Sequence, residues 1–107
     1  MLFQEEIIMN IIKETNDRKL TVKIEGRLDT STAPELSEVL DNSLSDFDSL
    51  VLDLAKLEYV SSAGLRVILS AHKKMSTKEG MTVINAGEAV LEIFDITGFS
   101  DILNIRK

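Results

Sequence analysis

The stretch SLVLDLAKLEYVSSAGLRVIL, Ser49 to Leu69, runs from a short apolar segment through two serines and a glycine into helical spacing. Ser49–Leu54 is nearly continuous in apolar residues, as in a strand covered on both faces, which implies helices packed above and below a sheet. Asp53 is its one charge. Beyond the serines, Leu65, Ile68, Leu69 and Met75 share a helical face, Lys73, Lys74 and Lys78 gather toward the end, and Gly80 is the expected stop.

Working outward, NIIKET and LTVKIEG flank Asn16, Asp17 and Arg18, and Leu20, Val22 and Ile24 alternate with polar residues, which predicts a hairpin. Thr32 and Glu35 have the spacing of a capping box, and Pro34 suits a first helical turn. Leu36, Val39, Leu40 and Leu44 then predict a helix from about Ala33 to Leu44. Downstream, MTVIN reads as a strand, and EAVLEIFDITGF as a helix with Val90, Ile93 and Phe94 on one face and Gly98 as its C-terminal cap. DILNI reads as a last short strand or a turn. This order implies right-handed crossovers and an α/β sandwich: a mixed, mainly parallel sheet with one antiparallel edge hairpin, flanked by helices.

At 107 residues, 44% of them hydrophobic, the chain has the size of one domain with its own core. That domain is expected over 9–107, with residues 1–8 an N-terminal extension or a cloning remnant. The absence of cysteine removes disulfides, thiolate metal sites and cysteine nucleophiles, and suits a cytoplasmic location. A net charge of -6 argues against nucleic-acid binding, because an acidic surface repels phosphates. The start, MLFQEEIIMNII, lacks the basic region of a signal peptide, and no apolar run has the length of a bilayer span, so no direct membrane insertion is expected.

The titratable residues do not converge on an enzyme. His72 is the single histidine; seven positions after Leu65, it reads as a residue at the core boundary. The carboxylates show no metal-ligand spacing, and neither glycine-rich phosphate-binding motif occurs, so no metal or cofactor is expected. Asp53 at a strand end superficially suggests a phospho-accepting receiver aspartate, but the acidic pair that would hold magnesium is missing.

The serines remain. A helix starting near Ala63 puts Ser62 at the N-cap, where its oxygen accepts a backbone N–H and where free amides and the helix dipole favour negative charge. Ser62 is then either only a cap or the site of a phosphoryl group, which adds about -1.5 to -2 charge. Gly64 fits both readings by allowing another backbone or a ligand to approach closely.

Taken together, LVLDLAKLEYV running into SSAGLRVIL, the earlier IEGRLDTSTAPEL and the later INAGEAVLEIFDITGF resemble the STAS domain, specifically the stand-alone anti-sigma factor antagonists of bacteria. The likeness covers nearly the whole chain from about Met9, in the same order of elements. It implies a binding protein rather than an enzyme, whose partner is an anti-sigma factor that is also a serine kinase. In such proteins the unphosphorylated antagonist binds the kinase and releases the sigma factor. The kinase then phosphorylates a serine at the start of the second helix, and a PP2C-type serine phosphatase restores it.

Aligned on Gly64 and Leu65, the resemblance places the phosphoacceptor at Ser62, with Ser61 the second choice. Where the best-known members carry an aspartate before the phosphoacceptor, this chain has Ser61; the residue after it is Ala63. The resemblance also sets Gly26, Arg27, Leu28, Asp29 and Thr30 beside the serine, and makes them partner-binding together with Ser61, Ala63, Gly64 and Arg66. The alternative it leaves is a constitutive STAS subunit of a lipid-transport or signalling scaffold complex, in which the serine is no switch.

Overall fold

Alternating apolar residues build the sheet of the computed structural model, which describes residues 9–106. Strand β1 (Met9–Asn16) turns through Asp17 and Arg18 into β2 (Lys19–Leu28), paired antiparallel from Asn16 opposite Lys19 to Met9 opposite Gly26. Helix α1 (Ala33–Ser43), β3 (Ser49–Asp53), β4 (Leu57–Val60), α2 (Ser62–Met75), β5 (Met81–Ile84), α3 (Glu88–Thr97) and β6 (Asn104–Arg106) follow. The sheet order is β1-β2-β3-β5-β6, parallel after the hairpin, and β4 pairs in parallel with the far end of β2. This is the expected mixed sheet flanked by helices, and DILNI does yield a strand, β6. The expectation for residues 1–8 falls outside the described residues.

Two strand expectations need correction. Among the described residues only one face of the central sheet is buried: Leu20, Val22, Ile24, Leu50, Leu52 and Val83 join a single core with Leu36, Leu40, Leu65, Ile68, Val90 and Phe94 of the three helices. Thr21, Val51 and Thr82, side by side in register on the other face, stay half exposed. The apolar run therefore marked a β3 in which Val51 is an outward residue, not a strand sandwiched between helices. The second correction is β4, which sequence reading ran together with β3; the chain breaks at Leu54–Lys56 and resumes pairing with Leu57 opposite Gly26, the register shifting between Gly26 and Arg27.

Helix ends also depart in detail. Thr32 makes no side-chain cap; its hydroxyl donates to the Arg27 carbonyl at 2.9 Å and accepts from the Asp29 amide at 2.8 Å. The Thr32 amide is held by Asp29 rather than by a capping-box partner. Helix α2 stops at Met75, ahead of Gly80, because the Ser76 and Thr77 hydroxyls donate to the Lys73 and Lys74 carbonyls and satisfy the last turn. Gly98 does cap α3, in the left-handed conformation at φ 83°.

Candidate functional site

The site is assembled by β4. Its parallel pairing sets Arg27 opposite Tyr59 and Leu28 opposite Val60, so the loops that leave β2 and β4 emerge at the same end of the sheet. The Ser61 amide then donates to the Leu28 carbonyl at 2.8 Å, extending the ladder one residue past the strand. Because Ser61 is thereby held in extended conformation, it is the N-cap of α2: its hydroxyl accepts from the Gly64 amide at 3.3 Å, and its carbonyl accepts from the Leu65 amide.

This corrects the cap assignment. Ser62 is the first helical residue and is exposed, while the capping work falls to half-buried Ser61. Among the described residues no hydrogen bond engages the Ser62 hydroxyl. Its neighbours in the first turn are amides without intrahelical acceptors, at the positive end of a 14-residue helix that carries no acidic residue in that turn.

The expected partner-binding residues divide by exposure. Arg27, Thr30 and Arg66 are exposed, and Gly26, Asp29, Ser61 and Ala63 are half-buried. Leu28 is 0% exposed and Gly64 is buried, so both seat the loop from beneath instead of offering surface. The close approach for which Gly64 is needed is internal: a Cβ there would meet Leu28, not a ligand.

Asp29 organises the adjoining loop. Its carboxylate accepts from the Ser31 hydroxyl at 2.8 Å and from the Ser31 and Thr32 amides at 3.0 and 3.2 Å. The Ser31 hydroxyl, and then these amides, hold the Asp29 carboxyl below the usual carboxylate range against the opposing effect of desolvation. Its other oxygen lies 4.0 Å from Arg27 Nε. Arg27 also stacks over the Tyr59 ring at 4.4 Å. Sequence reasoning missed Tyr59, whose signal lay only in the register of two strands distant in the chain.

Other residues stand apart from this surface. His72 is half-buried with an unpaired, buried Nδ1, and lies ten residues beyond Ser62, roughly 15 Å along the helix, too far to take its proton. Asp53 accepts from the Ala55 amide and the Asn85 side chain, both at 3.1 Å, and so ties the end of β3 to the end of β5. Among the described residues no acidic, histidine or cysteine cluster could hold a metal ion, and no helix is long and apolar enough to cross a membrane.

Residues 10–107 match the family model described as the STAS domain. The chain belongs to the STAS domain family. This STAS domain is 31% identical over 104 residues to the anti-sigma-B factor antagonist of Listeria monocytogenes, covering 92% of this chain and 91% of that protein. Its fold is similar to the crystal structure of an anti-sigma factor antagonist from Mycobacterium paratuberculosis, with a TM-score of 0.83, 26% identity, and 91% of this chain and 84% of that one covered. The unphosphorylated form of the anti-sigma factor antagonist SpoIIAA shares the fold at a TM-score of 0.78 and 13% identity, over 92% of this chain and 89% of that one.

Proposed function

We propose that this STAS domain is an anti-sigma factor antagonist: unmodified, it binds an anti-sigma factor serine kinase and frees the sigma factor, and phosphorylation of Ser62 ends that binding. The observation that carries the reading is the placement of Ser62, exposed and uncommitted at the first position of α2, while Ser61 does the capping. The named relatives support the antagonist role.

Ser62 Oγ takes the γ-phosphoryl group of ATP, its proton passes to a base on the kinase, and ADP leaves. Hydrolysis by a PP2C-type phosphatase returns the hydroxyl and releases inorganic phosphate. In this reading the domain acts as substrate and ligand, not as an enzyme, and its dependence on an ATP-using kinase fits the cytoplasm.

The switch follows from desolvation. A partner that docks over Ser61–Ala63, Arg66 and the exposed parts of Gly26–Thr30 strips water from the Ser62 hydroxyl, a neutral group that one hydrogen bond to the partner satisfies. A phosphate of about -1.5 to -2 charge buried there without cations to balance the whole of that charge costs on the order of several kcal/mol, enough to abolish binding. An acidic chain of net charge -6 is repelled by nucleic acid, so the effect on transcription runs through the protein partner.

The test is to incubate the protein and its Ser62→Ala variant with ATP and an extract of the source cells whose kinases are shown to be active, then map modified peptides. One phosphoryl group on Ser62 of the natural chain and none on the variant is the expected result. Transfer to Ser61 would move the site. No modification, with partner capture unaffected by Ser62→Asp, would replace the switch by a constitutive STAS subunit of a larger complex.

A further inference from the structure

We propose that Arg66 is the built-in counter-cation of phosphorylated Ser62, so that modification adds an anion to the docking surface and at the same time withdraws a cation from it. This rests on Ser62 being the phosphoacceptor. Ser62 and Arg66 are four residues apart on α2, which sets their Cβ atoms roughly 5–6 Å from each other on one strip of the helix. Both are exposed. Side chains on a helix lean toward its N-terminus, so the long arginine stem reaches back over the turn that begins with Ser62. An anion N-terminal to a cation at this spacing is also the more favourable order.

The surroundings leave Arg66 free for the task. The ion pairs among the described residues are made by Arg18, Lys23, Arg27, Lys56 and Lys74, and none engages Arg66. The cap is a neutral serine, and the first turn of α2 holds no carboxylate to compete for the guanidinium. At the adjoining end of β2 and in the loop after it, Arg27 stacks over Tyr59 and the Asp29 carboxylate is occupied by Ser31 and Thr32. A phosphate on Ser62 thus meets helix amides on one side and a planar guanidinium fork on the other, the geometry that matches two phosphate oxygens.

The consequence is a switch with two parts. In the unmodified domain Arg66 is available to a carboxylate of the kinase; in the phosphorylated domain it is occupied internally. The rejected partner therefore loses a cation contact besides meeting the phosphate.

The experiment installs phosphoserine at position 62 of the full chain by genetic encoding, which needs no kinase, and titrates the phosphate by phosphorus NMR. Pairing with Arg66 predicts a midpoint about a third of a pH unit lower in the natural chain than in Arg66→Ala. Arg66→Lys should retain part of the shift and Arg27→Ala all of it. Arg66→Gln, which keeps most of the stem, serves as the second neutral variant, and circular dichroism reports whether α2 persists in each. Equal midpoints in the natural chain and both neutral variants, or a shift that follows Arg27, would overturn the proposal. Phosphorylation of Ser62 in cell extract without this shift removes the counter-cation alone; the shift without any kinase acting on Ser62 removes the antagonist switch and leaves the pairing standing.

Discussion

A Cβ on Gly64 would stand 2.6 Å from Leu28 Cγ and 3.0 Å from the Leu28 carbonyl oxygen. Leu28 is fully buried, and its carbonyl is held by the Ser61 amide, so neither clash can be relieved by a small rotation. Gly64→Ala is expected to cost about 1–3 kcal/mol in urea denaturation by forcing α2 away from β2. Adding Leu28→Ala should recover part of that loss, so the double variant is more stable than the sum of the singles predicts. Strict additivity would mean that the contact does not set the helix position.

The two serines should separate cleanly in thermal denaturation. Ser61→Ala removes the cap and is expected to cost about 1 kcal/mol, while Ser61→Asp, a competent cap, restores most of it. Ser62→Ala, at an exposed first-turn position, should stay within about 0.5 kcal/mol of the natural chain. A larger loss at Ser62 than at Ser61 would reverse the cap assignment.

Asp29 gives a pH signature of known sign. Its carboxyl is held low in the folded state, so its contribution is fully present above the unfolded value near 4 and is lost as pH falls through the folded value. The difference in urea midpoint between the natural chain and Asp29→Asn should be constant between about pH 7 and 5 and shrink below about pH 4. A difference that persists unchanged to about pH 2 would mean that the carboxylate charge does not organise the loop.

Lys78 closes the far end of the molecule. Its ammonium donates to the carbonyls of Leu44, Ser45 and Phe47 at 2.9, 3.3 and 2.7 Å, satisfying the chain as it leaves α1. Lys78→Met, which keeps the apolar stem, is expected to lower stability by about 1 kcal/mol, without effect on Ser62 phosphorylation. A change in phosphorylation rate would tie this end of α2 to the switch.

Tyr59 is the chain's one tyrosine, and there is no tryptophan, so its emission reports on the Arg27 surface alone. Partner docking over Gly26–Thr30 should change that emission, and Arg27→Ala should weaken docking. Unaltered emission from a tryptophan-free partner complex would locate the contact elsewhere.

How much of this was legible in the chain depended on whether the deciding contacts were local. The β1–β2 hairpin, the faces of α1, α2 and α3, and the Gly98 cap all follow from spacing within a few residues, because hydrophobic periodicity and caps act over one or two turns. The candidate serines were legible too, since SSAGL stands between a strand and a helix in any reading of the order. The boundary between Ser61 and Ser62 was not. It depends on the Ser61 amide reaching the Leu28 carbonyl, a bond between residues distant in the chain that keeps Ser61 extended.

The same holds for β4, for the open sheet face that leaves Val51 half exposed, and for Tyr59 beneath Arg27. A strand's burial and partners are set by the strands beside it, and its own residues record only that it is apolar. By itself the sequence determined the order of elements, their inward faces and the serine-bearing turn. The tertiary structure decided which serine caps and which stays free, because parallel pairing of β2 with β4 is a non-local hydrogen-bond ladder that no local pattern encodes.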